Sequence, residues 1–330
     1  MAGILTISLD FELILGKLDK PGWQRFETVC ETERRVVFDG LMSLFSEFDV
    51  SATWCTVGHL FLDQCRRQTG SPSSSHHSHA GPCFPLDPCS NEQTAPLYYG
   101  KDLIDRLIAC PTPQEIGCHT YSHVMYGDPK CTEAIAERET AKCVQLAEER
   151  GLKLRSFVFP RNRVGHLPVL ARHGFAVYRG PSPRWFDQPE TPRLLRKIGH
   201  LADIFTARTP PAVEATPSVD GLVNLPASML FTPAFGMRRF VPVWLRVLRA
   251  RRGLREAVKQ GKVFHLWFHP TDLAVRPEAM LQGLRQVLET ADELRRAGEL
   301  AILPMGAFAP LESPALVQSR YLPARAVEAW

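Results

Sequence analysis

The sequence predicts an α/β fold in one large domain, built on a mostly parallel sheet that is either closed as a barrel or doubly wound. Two observations predict it. Short apolar runs alternate with segments of helical spacing along nearly the whole chain, the pattern of repeated strand–helix units. The chain has 330 residues, 45% of them apolar. That is longer than one simple core usually serves, yet α/β barrels often run to this size undivided.

The elements follow in order. A first strand is read over 4–9, then a helix over 31–47 with Val36, Val37, Leu41, Leu44 and Phe45 on one face. Residues 51–57, rich in β-branched and aromatic side chains, form a second strand. The Ser-, Pro- and Gly-rich stretch 70–96 has no periodicity and reads as a flexible insertion. Its His76, His77 and His79 read as part of a polar tract, since nothing nearby would fix three imidazoles in one geometry. A helix over 101–110, a strand over 115–118 and an amphipathic helix over 132–150 follow, the last stopped by Gly151. Next come a strand over 154–159, a short helix over 165–173 and a strand over 175–178. The Pro-rich stretch 181–222 reads as irregular loops covering a site. A strand over 223–225, helix 243–259, strand 263–268, helix 278–297 and strand 300–303 complete the pattern. Leu281, Leu284, Val287, Leu288 and Leu294 give helix 278–297 its buried stripe. The domain thus spans 1–310, and 311–330 is a loosely attached tail.

Composition excludes several classes. Lys and Arg total 39 against 35 Asp and Glu, and a net charge of +4 gives no argument for nucleic acid. No apolar run approaches the roughly 20 residues that a membrane-spanning helix needs. The opening MAGILTISLDFEL lacks a basic leader and a small-residue cleavage site, so it reads as a strand, and a cytoplasmic location is expected. Nine cysteines without a CxxC pair read as reduced thiols packed as small apolar side chains. Neither GxGxxG nor GxxxxGK[ST] occurs, which removes the usual support for a nucleotide fold. The segment 238–259 interleaves Arg238, Arg239, Arg246, Arg249, Arg251, Arg252, Arg255 and Lys259 with Trp244, Leu245, Val247, Leu248 and Leu254. It reads either as a solvated basic face or as a peripheral contact with an anionic bilayer or a sugar diphosphate.

Parallel α/β folds gather their chemistry at the C-terminal ends of the strands. The first strand ends in Asp10-Phe11-Glu12, and residues two apart on an extended chain share a face. Two close carboxylates repel unless a cation or proton lies between them. The third strand runs into His119-Thr120-Tyr121-Ser122-His123, whose i,i+4 spacing would put both imidazoles on one face if the segment turned helical. An HxxxH pair alone is weak, but with a carboxylate it completes the two-His, one-carboxylate set that leaves a metal position open. The strand 263–268 carries His265 and Trp267 and leads into His269-Pro270, which places His269 as a proton donor against the alternative of a satisfied core histidine. Phe157-Val158-Phe159-Pro160-Arg161-Asn162 offers a cation and an amide at another strand end, or an ordinary turn.

These motifs occur in the order found in one family. Asp-x-acid on the first strand, HTxxH near 120, FPRN at 159–162 and WFHP at 267–270 resemble the polysaccharide deacetylases of NodB homology (carbohydrate esterase family 4). The resemblance runs from about residue 4 to about 305. It implies a distorted (β/α) barrel and a divalent metal, usually zinc. It implies Asp10 as catalytic base, Glu12, His119 and His123 as metal ligands, and His269 as general acid. Arg161 is the candidate to hold Asp10 ionised from beyond Pro160. Glu12 stands where most relatives carry Asp, and no Asp stands out as the residue orienting His269.

The implied activity is hydrolysis of an N-acetyl group from an amino sugar in a glycan or precursor, with a nucleotide- or lipid-linked cytosolic sugar as the favoured substrate. Trp185, Trp267, Tyr121 and Tyr126 are candidates to stack on the sugar. The alternatives are hydrolysis of another non-peptide C–N bond, such as a formamide or cyclic ureide, and a non-catalytic glycan-binding barrel.

Overall fold

The computed structural model describes residues 2–64, 90–187 and 191–310. Most of the expected insertion, with its three histidines, and the expected tail lie outside the described residues. Strands β1 (Gly3–Phe11), β2 (Thr53–Thr56), β3 (Glu115–Cys118), β4 (Ser156–Val158), β5 (Val177–Gly180), β7 (Val223–Pro226), β8 (Met229–Leu230), β9 (Val263–Phe268) and β10 (Leu300–Ile302) pair in parallel. The two-residue β6 (Thr216–Pro217) pairs antiparallel with β7. The order β7-β5-β4-β3-β2-β1-β9-β8 is the expected mostly parallel sheet. One edge of β1 is shared: its first residues pair with β10 and its last with β2. The sheet curls until it meets itself. Ala227 N–H donates to Gly180 O (3.1 Å) and the next residue, Ser228, donates to His265 O (2.9 Å), so the 223–230 segment leaves β5 and joins β9. The result is a distorted barrel.

The alternation of β1 explains where the cores lie. Leu5, Ile7, Leu9 and Phe11 face the helical layer and join the large outer core with Phe38, Phe45 and Trp54. Phe11 and Trp54 meet edge to face at 5.5 Å between centroids. The interior cluster is smaller: Cys55, Val158, Val177, Leu225 and Val263 line the barrel. On that inner side β1 carries Ser8 and Asp10, both buried, and this leads polar chemistry up to the C-terminal mouth.

The helices match the periodic segments: α3 (Lys101–Ile108), α4 (Glu133–Glu148), α5 (Leu167–Arg172), α7 (Val243–Gln260) and α8 (Pro277–Arg296). Thr132 caps α4 by accepting the Ile135 N–H, and Gly151 takes the left-handed conformation (φ 68°) beyond its end. Two expectations are revised. The 31–47 helix begins earlier, as α1 (Glu27–Thr32), and reaches α2 (Phe38–Glu47) through a wider π turn, Glu33–Val37. The stretch 181–222 is not wholly irregular: it contains α6 (Arg193–Phe205). Its apolar spacing was present in the sequence, but bracketing prolines obscured it.

The π turn buries Glu33, whose two carboxylate oxygens have no hydrogen-bond partner among the described residues. Burial pushes Glu33 up to about 8, with Lys17 opposing and Glu12 reinforcing. The folded chain therefore holds a proton that the unfolded chain releases near the ordinary value of 4.5. The stabilisation is present below that value and is lost as pH rises to about 8. Replacing Glu33 with Gln is predicted to raise Tm relative to the native chain, by a margin that widens between these pH values. Thermal melts across the range check this.

Candidate metal and acid–base site

Five side chains from three strand ends converge at the mouth. Glu12 follows β1 and directs Oε1 to His119 Nε2 (3.2 Å) and His123 Nε2 (3.1 Å). All three are buried, and their donor atoms lie within 4.8 Å of one another. Asp10, Glu12 and His269 form a second group of this kind, sharing Glu12 with the first. His269 Nε2 lies 3.5 Å from Glu12 Oε1 and 3.7 Å from Asp10 Oδ2.

The longer Glu12 side chain has its own accommodation. Turns after β1 bring Lys17 back to donate to Glu12 Oε2 at 2.8 Å, leaving Oε1 for the imidazoles. A Cβ at Gly16 would stand 1.7 Å from Glu12 Oε2, so only glycine leaves room for the carboxylate there. Burial works to raise Glu12, but Lys17, His269 and His123 outweigh it and hold the carboxyl well below its usual value.

The histidines are presented by a loop rather than by a helix. Residues after β3 bend with Thr120 and His123 at φ 60°, a conformation that costs a non-glycine residue roughly 1–2 kcal/mol. The expected helical turn is thus corrected: the strained bend puts both Nε2 atoms on Glu12. Glu139 of α4 pins the bend, accepting from Ser122 N–H (2.8 Å) and Ser122 O–H (2.6 Å). His119 Nδ1 donates to Val158 O at 2.8 Å. Its Nε2 faces a carboxylate oxygen at hydrogen-bonding distance, a contact that a proton or a cation must bridge. Burial lowers the pKa of His123, favouring the neutral ligand form, though Glu12 opposes the shift. This buried N,N,O donor set with a carbonyl-oriented imidazole fits a divalent transition metal such as zinc.

Arg161 does not hold Asp10. Pro160 is followed by two left-handed residues, Arg161 (φ 57°) and Asn162 (φ 53°), and Arg161 turns away to Asp19 at 2.5 and 2.8 Å. Its place is taken by Arg179 of β5, fully buried, which donates to Asp10 Oδ1 (2.6 Å) and Oδ2 (2.8 Å). Arg179 also stacks over Trp267 at 4.2 Å and donates to Asn162 Oδ1 at 3.2 Å. Burial raises the Asp10 carboxyl, but Arg179, His119 and His269 outweigh it and keep it below the usual carboxylate value. Arg179 further reaches Ser8 Oγ (3.1 Å), which donates to His265 Nε2 (2.8 Å). Burial, aided by Arg179, pushes His265 down to about 3, so it is a neutral strut of this network.

His269 finds its orienting acid three residues on. Asp272 Oδ2 accepts from both His269 N–H and Nδ1–H, each at 2.9 Å. Burial opposes the charged imidazole, but the Asp272 and Glu12 carboxylates prevail and lift it to about 10. Sequence reasoning missed Asp272, Arg179 and Lys17. The capping pattern His-Pro-x-Asp could have revealed the first, and an arginine inside an apolar strand the second.

A cleft of about 770 Å³ opens above the site, walled by Trp267 and the distal residues Arg184, Arg196, Arg238 and Arg249. Tyr121 and Tyr126 do not reach it. Both are core residues, with Tyr126 OH bonded to Ala136 O and Thr140. The segment 238–259 is not one basic face either. Arg246 is buried and donates to the carbonyls of Thr232, Pro233, Arg238 and Val241, while Arg249 binds Asp203. Six cysteines among the described residues are free, five of them buried. No helix among the described residues is long and apolar enough to cross a membrane.

No family model and no curated protein matches the sequence. Solved structures do match. A protein assigned as a polysaccharide deacetylase from Mycobacterium smegmatis superposes with TM-score 0.56 at 16% identity, covering 94% of each chain. A second so assigned, from Pseudomonas aeruginosa PAO1, gives 0.57 at 12%, covering 91% of this chain and 87% of the other. The PuuE allantoinase gives 0.57 at 13%, covering 99% and 91%. The chain therefore has the distorted-barrel fold that polysaccharide deacetylases and an allantoinase share.

The Glu139 clamp carries a prediction. Glu139→Ala leaves the Ser122 N–H buried without its acceptor and is expected to cost about 1–3 kcal/mol of stability. Zinc affinity is expected to fall roughly 10–100-fold with it. Glu139→Gln, which still accepts, retains most of both. Thermal melts and zinc titrations of the two variants check the contrast.

Proposed function

We propose that the protein is a metal-dependent hydrolase that removes the N-acetyl group from an amino sugar in a glycan or glycan precursor. The observation that carries the reading is the convergence of Glu12 Oε1 with two imidazole Nε2 atoms, with Asp10 and His269 beside them. Glu12, His119 and His123 would hold the ion. When bound there, a divalent cation such as Zn²⁺ supplies a Lewis acid for water and for the acetyl oxygen.

The remaining chemistry belongs to the chain. An amide resists hydrolysis because its nitrogen lone pair is delocalised and amide nitrogen leaves poorly. Asp10 serves as the base that accepts the proton of the attacking water. Arg179 keeps Asp10 ionised and fixes its plane, and each carboxylate oxygen retains a lone pair for that proton. His269, charged and tied by Nδ1 to Asp272, delivers the Nε2 proton to the departing amine. Trp267, with Arg179 stacked against it, offers an apolar wall for the sugar. The arginines of the cleft suit an anionic leaving group, which favours a nucleotide- or lipid-linked amino sugar over a neutral polymer.

The fold shared with an allantoinase makes hydrolysis of a cyclic ureide the second reading. A panel of N-acetyl sugars, formylated sugars and cyclic ureides separates the two, with acetate release from the first expected.

Chelation is predicted to abolish that release and zinc to restore it. His119→Ala should lose both metal and turnover. Asp10→Asn should keep its zinc while kcat falls by at least about 100-fold. Arg179→Gln should lower kcat and shift the acidic limb of the pH–rate profile upward, because Asp10 loses the cation that depresses it. Metal content by elemental analysis and acetate release by a coupled assay read out all three. Full zinc in His119→Ala would refute the ligand assignment.

A further inference from the structure

Helix α6 is amphipathic in the inverse sense for a barrel helix. Its inward side is polar: Arg196, His200 and Asp203 line the cleft, and Asp203 is held by Arg184 and Arg249. Its outward side carries Leu194, Leu195, Ile198 and Phe205, respectively 68, 46, 53 and 56% exposed. An apolar stripe ordinarily faces the core. Here no described residue covers it.

The stripe does not stand alone. Trp185, Phe240 and Trp244 are each more than half exposed. Phe186, next to Trp185, packs on His200 of α6, and Val241 and Leu245, next to Phe240 and Trp244, pack on Ile204. The exposed aromatics therefore neighbour residues that pack on the same helix. Single exposed apolar residues are ordinary, but seven large ones gathered around one helix mark a contact surface.

Charge selects the occupant. Between positions 193 and 213 the one acid is Asp203, which is buried on the inward side, and between 221 and 255 there is none. Lys197, Arg208, Arg239 and Arg252 are exposed on these segments. A second copy of the chain would bring these cations face to face, which disfavours self-association. Leu, Ile, Trp and Phe flanked by Lys and Arg are the composition of a helix lying in the interface of an anionic membrane.

We infer that the outward face of α6, with Trp185, Phe240 and Trp244, docks the protein on an anionic lipid bilayer. The consequence for substrate rests on the hydrolase reading above. Since α6 is also a wall of the cleft, the docked enzyme would receive its amino sugar on a lipid phosphate. The phosphate would meet Arg196 and Arg238 while the lipid chain stayed in the membrane. The surface overlaps the 238–259 segment expected from the sequence, from which it takes Arg239, Phe240, Trp244 and Arg252, but it centres on α6.

The test is flotation of the zinc-loaded full chain with vesicles of phosphatidylcholine, with and without phosphatidylglycerol. The protein is expected to float with the anionic vesicles, less at high salt and least with phosphatidylcholine alone. The double variant Leu194→Glu/Ile198→Glu should partition at least about 100-fold more weakly. Its Tm and zinc content should be unchanged, because both side chains stand in solvent. A native chain that stays unbound with anionic vesicles, or a variant that floats equally well, overturns the proposal. So does a native dimer that the variant converts to monomer without any vesicle binding. Acetate release from water-soluble substrates without vesicles tests the hydrolase reading separately, and docking stands or falls on flotation alone.

Discussion

Asp10 and Glu12 are two carboxylates, two residues apart, buried at the mouth of a barrel where bare charges would each cost several kcal/mol. Each is given its own cation. Arg179 meets both oxygens of Asp10, and Lys17 meets one oxygen of Glu12. The division separates their roles. Asp10 remains available to a proton, whereas Glu12 keeps one oxygen turned toward two imidazoles. The rest of the mouth serves this arrangement: the strained bend of 119–123, the Glu139 clamp, the glycine at position 16 and the Asp272 partner of His269.

The fold was legible because its signals are local. Nearly every strand and helix announced itself through periodicity, and the histidines and acids followed from their places at strand ends. What escaped the sequence was pairing across the barrel. Arg179 lies 169 positions from Asp10, and only closure of the sheet brings them together. Arg161 was the nearer guess because it follows a strand end, but backbone conformation, not strand position, decides where that side chain points. The i,i+4 spacing of His119 and His123 suggested a helical turn, and the convergence it implied is reached instead by a left-handed bend.

Helix α6 illustrates the opposite difficulty. Bracketing prolines hid its spacing, and its orientation would have been misjudged in any case, because the usual inference from an apolar stripe to a core face fails when the stripe faces outward. The same inversion gives the helix two uses: one face lines the cleft with Arg196, His200 and Asp203, and the other turns an apolar surface outward. The 238–259 segment shows how a basic run can dissolve into separate tasks, with Arg246 tying backbone carbonyls, Arg249 bracing Asp203 and Arg238 facing the cleft.

The central claim is that one carboxylate and two imidazoles form the first coordination sphere of a single cation. X-ray absorption spectroscopy of the zinc-loaded protein tests it most directly. The account predicts light-atom scattering at about 2.0–2.2 Å with the outer-shell signature of two imidazoles. Sulfur scattering near about 2.3 Å, or a spectrum without imidazole features, would contradict it.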